Sequence, residues 1–325
     1  MTVAFVASAL PARLIRAQAE ALKISRIVCA SRELEDVFRY AVPPECPIEI
    51  TSIPSSGGAL TALWFLVGEV SKAEGIVVFH ECCWVTLDVV ILLTQPKLMF
   101  FPQVSLAGYS RLPVSRFPNL RWLSKHFGVV QALLLTLWRD HFDFYDVASD
   151  GGCGREAVAA LQYAMLRNVE LHTCEESLRL IPGVISGPSP ESLIALIVCA
   201  REPVPDTVQL GLYREVCDRL VEAGYSVYIK DHPRNATRLN FYYPGAQVIP
   251  PHIPADLCGI NPTVAIGICS SALAAYGSRA LSLVRLLGMS EADVQSRIAH
   301  LPSLPGGSEV SFVRNWAEFA ERTKL

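Results

Sequence analysis

Short apolar runs alternate along the chain with segments whose apolar residues recur every three or four positions. Val3–Ser8, Ile24–Ala30, Ile48–Ile53, Gly75–Phe79, Leu98–Val104 and Phe142–Ala148 have the length and composition of strands. Pro11–Leu22, the stretch from Ser55-Ser56-Gly57-Gly58 to Ala73, Leu120–Leu137 and Glu156–Arg167 read as helices, the first opened by a proline. The opening MTVAFVASALPAR has no basic stretch and reads as a first strand, not a secretory leader. Apolar strands separated by helices predict parallel sheets covered on both faces.

Proline and glycine cluster from Ile181-Pro182-Gly183 to Gly187-Pro188-Ser189-Pro190, as they do in linkers. The alternation then restarts. Leu193–Cys199, Tyr225–Lys230, Gly245–Ile249 and Val264–Cys269 read as strands. Asp206–Ala223 reads as a helix with Leu210, Tyr213, Cys217, Leu220 and Val221 on one face and Gly224 as its stop. Ala255–Ile260 and the segment from Ala272 read as further helices, and Phe312, Trp316 and Phe319 have helical spacing. The expectation is an α/β chain of two doubly wound, Rossmann-like domains, 1–185 and 186–325, facing a central cleft. The last helix is a candidate to pack back on the N-terminal domain.

Composition narrows the function classes. Of 325 residues, 51% are hydrophobic and 18% charged, which excludes a disordered chain. The net charge of -3 offers no basic face, so nucleic acid is not an expected partner. Phe127–Trp138, an uncharged apolar run of twelve, falls short of the roughly 20 apolar residues that span a membrane. No transmembrane segment is expected, although the apolar content leaves room for peripheral membrane contact. Ten cysteines include no C-x-x-C pair and no zinc spacing, so vicinal Cys82–Cys83 and the others read as reduced packing residues in a cytoplasmic protein.

In doubly wound sheets, ligands bind beyond the carboxyl ends of the strands. Three predicted strands end in polar residues there. Ser149-Asp150-Gly151 places a carboxylate where a general base acts, with glycines that permit close approach. The plain alternative is a capping or turn aspartate. Lys230-Asp231-His232-Pro233 places an imidazole beside a cation, and Pro233 restricts His232 to extended conformations. Such a histidine donates to a phosphate, or simply sits in a turn. Ser270-Ser271 precedes a predicted helix, either as an anion site or as an ordinary N-cap. Neither G-x-G-x-x-G nor G-x-x-x-x-G-K-[ST] occurs, which argues against a dinucleotide enzyme or a P-loop ATPase.

Acid-glycine, then His-Pro, then Ser-Ser, in that order, resembles the bacterial sialyltransferases and polysialyltransferases of GT-B type, with their D/E-D/E-G, HP and S or SS motifs. Ser149 departs from the first acid, and Asp231 from the first proline of K-P-H-P. Asp231 beside His232 suggests a raised imidazole pKa. The resemblance implies an inverting, metal-independent glycosyltransferase of surface polysaccharide or lipopolysaccharide synthesis. It would move sialic acid or a related acidic sugar from a CMP-sugar to a glycan or glycolipid hydroxyl, at the inner face of the inner membrane. It implies Asp150 as base and His232 as donor to the leaving phosphate. Lys230, Pro233, Asp256, Ser270, Ser271 and Gly151 would line the substrates, with Asp256 on the donor ribose and no separate cofactor. The rivals are a CMP-Kdo or other CMP-ulosonate transferase and an S-adenosylmethionine-dependent methyltransferase built on Asp150–Gly154. A further rival is a GT-B scaffold without catalysis. Elsewhere, His80-Glu81 reads as structural or solvated, and Trp138 and Trp316 as packing residues.

Overall fold

The computed structural model describes residues 1–101 and 193–324, apart from 8, 10, 55–57, 80–84, 95, 203, 299–300 and 305. It also describes 111–112, 133, 144–145, 169–171 and 185. The chain divides into two compact units, Met1–Leu180 and Ile181–Leu325.

In the first unit, β1 (Thr2–Val6), α1 (Ala12–Gln18), β2 (Ile24–Cys29), α2 (Arg32–Ala41) and β3 (Glu49–Ser52) are followed by α3 (Gly58–Lys72), β4 (Gly75–Phe79), α4 (Val85–Thr94) and β5 (Leu98–Phe101). Next come β6 (Arg111–Leu112), β7 (Phe144–Tyr145) and β8 (Val169–Leu171). One sheet runs β3-β2-β1-β4-β5-β8, every neighbour parallel. This is the doubly wound order, with its reversal between β1 and β4. All five residues of β4 and the last four of β1 are buried, which is why these strands read as unbroken apolar runs. The α2 helix, not anticipated above, buries Leu34, Val37, Phe38 and Ala41, one stripe at helical spacing.

The expected strand Phe142–Ala148 needs correction. Its described part, β7, pairs antiparallel with β6 in a separate two-stranded sheet, and β8 takes the sixth place in the parallel sheet. Asp143 and Asp146 flank β7, and carboxylates suit a strand buried on both faces poorly. Of the expected helix Leu120–Leu137, only Leu133 is described, and it is helical; Glu156–Arg167 lies outside the described residues.

The second unit contains β9 (Ile194–Val198), α5 (Asp206–Glu222), β10 (Ser226–Lys230), β11 (Gln247–Ile249), β12 (Val264–Gly267) and β13 (Ala280–Ser282). It closes with α6 (Glu291–Ile298), β14 (Ser311–Phe312) and α7 (Trp316–Thr323). Its sheet runs β11-β10-β9-β12-β13-β14, again all parallel and in the same order. The α5 helix buries Gln209, Leu212, Tyr213, Val216, Cys217 and Leu220, and each large apolar side chain so buried contributes roughly 1.5–3 kcal/mol. Val221, expected on this face, is 48% exposed. It lies about 100° around the helix from Leu220, outside the stripe. Gly224 ends the helix at φ +84, where a side chain would be strained.

Phe312 belongs to β14, and only Trp316 and Phe319 are helical. The α7 helix packs within its own unit. Phe319 is fully buried in the core beside α5, Arg219 stacks 4.5 Å over the Trp316 ring, and Tyr225 Oη donates to Thr323 O at 2.8 Å. Among the described residues, no helix is long and apolar enough to cross a membrane.

Candidate functional site

Because every strand of the second sheet is parallel, the loops after β9, β10, β11 and β12 all leave from one carboxyl edge. The Lys230–Pro233 segment follows β10, Asp256 lies in the loop after β11, and Ser270-Ser271 follow β12. The structure therefore brings these predicted residues to one edge, flanking the central strand β9.

His232 is held by a loop dense in polar contacts. Its Nδ1 accepts the backbone N–H of Arg234 at 3.1 Å and meets the Thr237 hydroxyl. An amide N–H only donates, so Nδ1 is the acceptor and the neutral ring carries its proton on Nε2. The Asp231 carboxylate is turned to the main chain. It accepts from His232 N at 2.7 Å, Leu239 N at 3.1 Å and Asn240 N at 2.7 Å. Arg238 donates through Nε to His232 O at 3.1 Å and through Nη2 to Pro233 O at 2.9 Å.

These contacts correct one expectation. The His232 pKa is lowered to about 4, not raised. Burial is the largest cause, and Arg234, Lys230 and Arg238 add to it; Asp231 pulls the other way and is outweighed. At neutral pH the imidazole is uncharged.

Lys230 is 2% exposed. Its Nζ donates to Asp231 O and, at 3.1 Å, to Pro251 O. The ammonium thus pins the loop after β11 to the end of β10, a structural role the sequence did not suggest. Burial lowers its pKa to about 8.

Asp256 is half-buried in a single 3-10 turn, Ala255–Leu257, where a longer helix was expected. That turn is tied to the segment after Ser271, because Tyr276 Oη donates to Ala255 O at 2.5 Å. The Lys230 and Tyr276 bonds join the His232, Asp256 and Ser271 segments into one connected framework.

Ser270 and Ser271 are both half-buried. Ser270 is an N-cap whose Oγ accepts Ala272 N at 3.3 Å. The expected helix from Ala272 is instead a 3-10 segment, Ser271–Arg279, interrupted by Gly277 at φ 55. Its few turns supply a weaker dipole than a full α-helix would, so the two hydroxyls must carry more of any anion contact. A Cβ at Gly267 would lie 2.9 Å from Val198 O. Glycine therefore lets β12 close on β9 and fixes where the serine loop begins.

Some contributors escaped sequence reading. Glu202, beyond β9, pairs with Arg297 of α6 at 2.9 Å, and burial raises its pKa. Gln209, fully buried, accepts from Glu202 N and donates to Glu202 O and Val204 O, fixing that loop. Its signal was a polar residue in register with Tyr213, Val216 and Leu220. Arg238 and Thr237 were legible only as ordinary loop residues.

Ser149, Asp150 and Gly151 lie outside the described residues, as do His80-Glu81, Trp138 and Cys82–Cys83. Cys29, Cys199 and Cys217 are buried and free. Among the described residues no group of three or more His, Cys, Asp or Glu side chains is gathered as metal ligands.

No protein-family model and no curated protein matches the chain. Solved structures resemble its course at low identity. A glycosyltransferase, SnogD from Streptomyces nogalater, is 10% identical over 99% of both chains, with a TM-score of 0.48. A sialyltransferase from Photobacterium damsela is 10% identical over 96% of this chain and 81% of its own, with a TM-score of 0.44. A putative UDP-N-acetylglucosamine 2-epimerase from Listeria monocytogenes is 10% identical over 94% of this chain and 92% of its own, with a TM-score of 0.46. None of the three is similar enough to assign an activity.

Proposed function

We propose that the chain is a glycosyltransferase of GT-B type whose second unit holds a nucleotide-sugar donor at its carboxyl edge. The observation that carries the reading is the joined framework of His232, Asp256 and Ser270-Ser271 at that edge, with the imidazole held neutral as an Nε2–H donor.

In the finer form of the proposal the donor is a CMP-sugar carrying sialic acid or a related acidic sugar. The His232 Nε2–H and the Ser270 and Ser271 hydroxyls donate to the phosphate, stabilising the charge that grows as CMP leaves. Asp256 accepts from the ribose. Pro233 keeps the His232 turn extended, and Lys230 acts from behind by holding the Asp256 loop. Asp150, beside Gly151, removes the proton of an acceptor hydroxyl, which attacks the anomeric carbon from the opposite side and inverts it. Protein dipoles and hydroxyls, not a metal ion, balance the phosphate charge in this scheme. The acceptor is a glycan or glycolipid of surface polysaccharide or lipopolysaccharide, met in the cytoplasm at the inner face of the inner membrane.

The test is CMP release from CMP-sialic acid with a sialylated glycan acceptor, for the wild type and for Asp150→Ala. Acceptor-dependent release that falls by at least about 100-fold in the variant fits loss of a general base. Full release by the variant removes Asp150 from the mechanism. Release from a nucleoside diphosphate sugar, but not from a CMP-sugar, overturns the donor assignment.

A further inference from the structure

We infer that Asp231 is a positioning residue for His232: by gripping both ends of the 231–240 segment, its carboxylate sets the fold that holds the imidazole in a single tautomer. A carboxylate next to a histidine has two possible jobs, as charge partner of the ring or as scaffold of its loop. The contacts separate them. The Nδ1 atom is met by Arg234 N and Thr237 Oγ1. The hydrogen bonds of Asp231 go to the main chain, at His232 where the segment begins and at Leu239 and Asn240 where it closes.

The closure needs such a grip. Asn240 has φ +52, a left-handed conformation that a non-glycine residue adopts at some cost. A carboxylate accepting its N–H at 2.7 Å offsets that cost locally. Between the two gripped ends lie the groups that orient the ring, Arg234 N and Thr237 Oγ1, and Arg238 adds a clasp on the carbonyls of His232 and Pro233. Freed at either end, the segment would no longer hold the N–H of Arg234 against Nδ1.

The charged groups around the ring make the two roles distinguishable. Lys230, Arg234 and Arg238 disfavour the imidazolium, Asp231 favours it, and burial outweighs them all. If Asp231 were a charge partner, neutralising it would lower the midpoint of His232 further. If it is a scaffold, loosening the loop admits water, and the midpoint rises toward 6.5, the ordinary value.

The experiment uses the full-length protein labelled with nitrogen-15 at histidine, with His232→Gln to assign the resonance. In the wild type at pH 7, His232 is expected as the Nε2–H tautomer, and the amides of His232, Leu239 and Asn240 exchange slowly. In Asp231→Asn, which keeps the shape but puts an NH2 group against a backbone N–H, both tautomers appear and the midpoint moves up. CMP affinity falls about tenfold, the scale of one hydrogen bond to a charged group. A single tautomer with an unmoved or lowered midpoint in Asp231→Asn overturns the inference. So does fast exchange of the three amides in the wild type, which needs no variant to fold. The affinity arm rests on the proposed donor site, but the tautomer arm does not. Expected tautomers without CMP binding by the wild type would retire the donor reading and leave this inference standing.

Discussion

The loops after β10 and β12 flank the same central strand and are held in opposite ways. The first is fixed by side-chain polarity: Asp231, Arg238 and Thr237 bond within it, and Lys230 ties it to the loop after β11. The second is fixed by close packing. Gly267 lets β12 approach Val198 O, and Ile268, Leu273 and Ala274 around it are buried. A loop held by hydrogen bonds responds to charge, protonation and the loss of one acceptor. A loop held by packing responds to volume. A site built from both fails differently on its two sides.

The largest expected break is Asp231→Ala. It removes the acceptor of three backbone N–H groups, the buried one of Leu239 and the part-buried ones of His232 and Asn240, and should lower unfolding free energy by about 2–4 kcal/mol. Denaturant titration measures this, and a loss below about 1 kcal/mol would mean the loop does not depend on the carboxylate. Gly267→Ala comes next, at about 1–3 kcal/mol, because its Cβ must displace a backbone carbonyl. That change should also weaken any contact made by Ser270 while leaving the His232 tautomer unmoved, which separates the two loops cleanly.

Acid sharpens the contrast. His232 has a folded pKa of about 4 against an ordinary 6.5. Above pH 6.5 both states are neutral and the group adds no slope. As pH falls from 6.5 to 4, the unfolded chain takes up a proton that the folded chain refuses, so stability drops. The slope from this one group is at most about 1.4 kcal/mol per pH unit. Stability against pH, compared between wild type and His232→Gln, isolates that limb; an identical slope in the two would contradict the buried, neutral ring. The smallest effect is Ser270→Ala, which removes an N-cap worth about 0.5–1 kcal/mol.

Most of the fold was legible because burial on both faces leaves its mark on nearly every residue of a central parallel strand. The β4 strand, Gly75–Phe79, has the bounds its apolar run predicts, and β9, β10 and β12 fall within theirs. Phe142–Ala148 does contain a strand, but its sequence carries Asp143 and Asp146, a polar signal at odds with a place in the buried parallel sheet. Phe312 shares the helical spacing of Trp316 and Phe319, and spacing alone does not distinguish a residue just before a helix from one inside it.

The candidate site was legible as a set of strand ends, since parallel topology makes every such end share an edge. Its internal wiring was not. The sequence shows Asp231 beside His232 and suggests a charge pair. Only the fold reveals that the carboxylate faces Leu239 and Asn240, eight and nine residues on. Lys230 read as a nucleotide contact for the same reason: a lysine at a strand end looks solvent-facing until the loop after β11 covers it.

Calorimetric titration of the purified full-length protein with CMP, with and without the His232→Ala change and alongside UDP and S-adenosylmethionine, tests the central claim most directly. The account predicts CMP binding by the wild type, at least about tenfold weaker in the variant, with the other two ligands weaker still. Binding of S-adenosylmethionine in place of CMP, or CMP binding indifferent to His232, would contradict it.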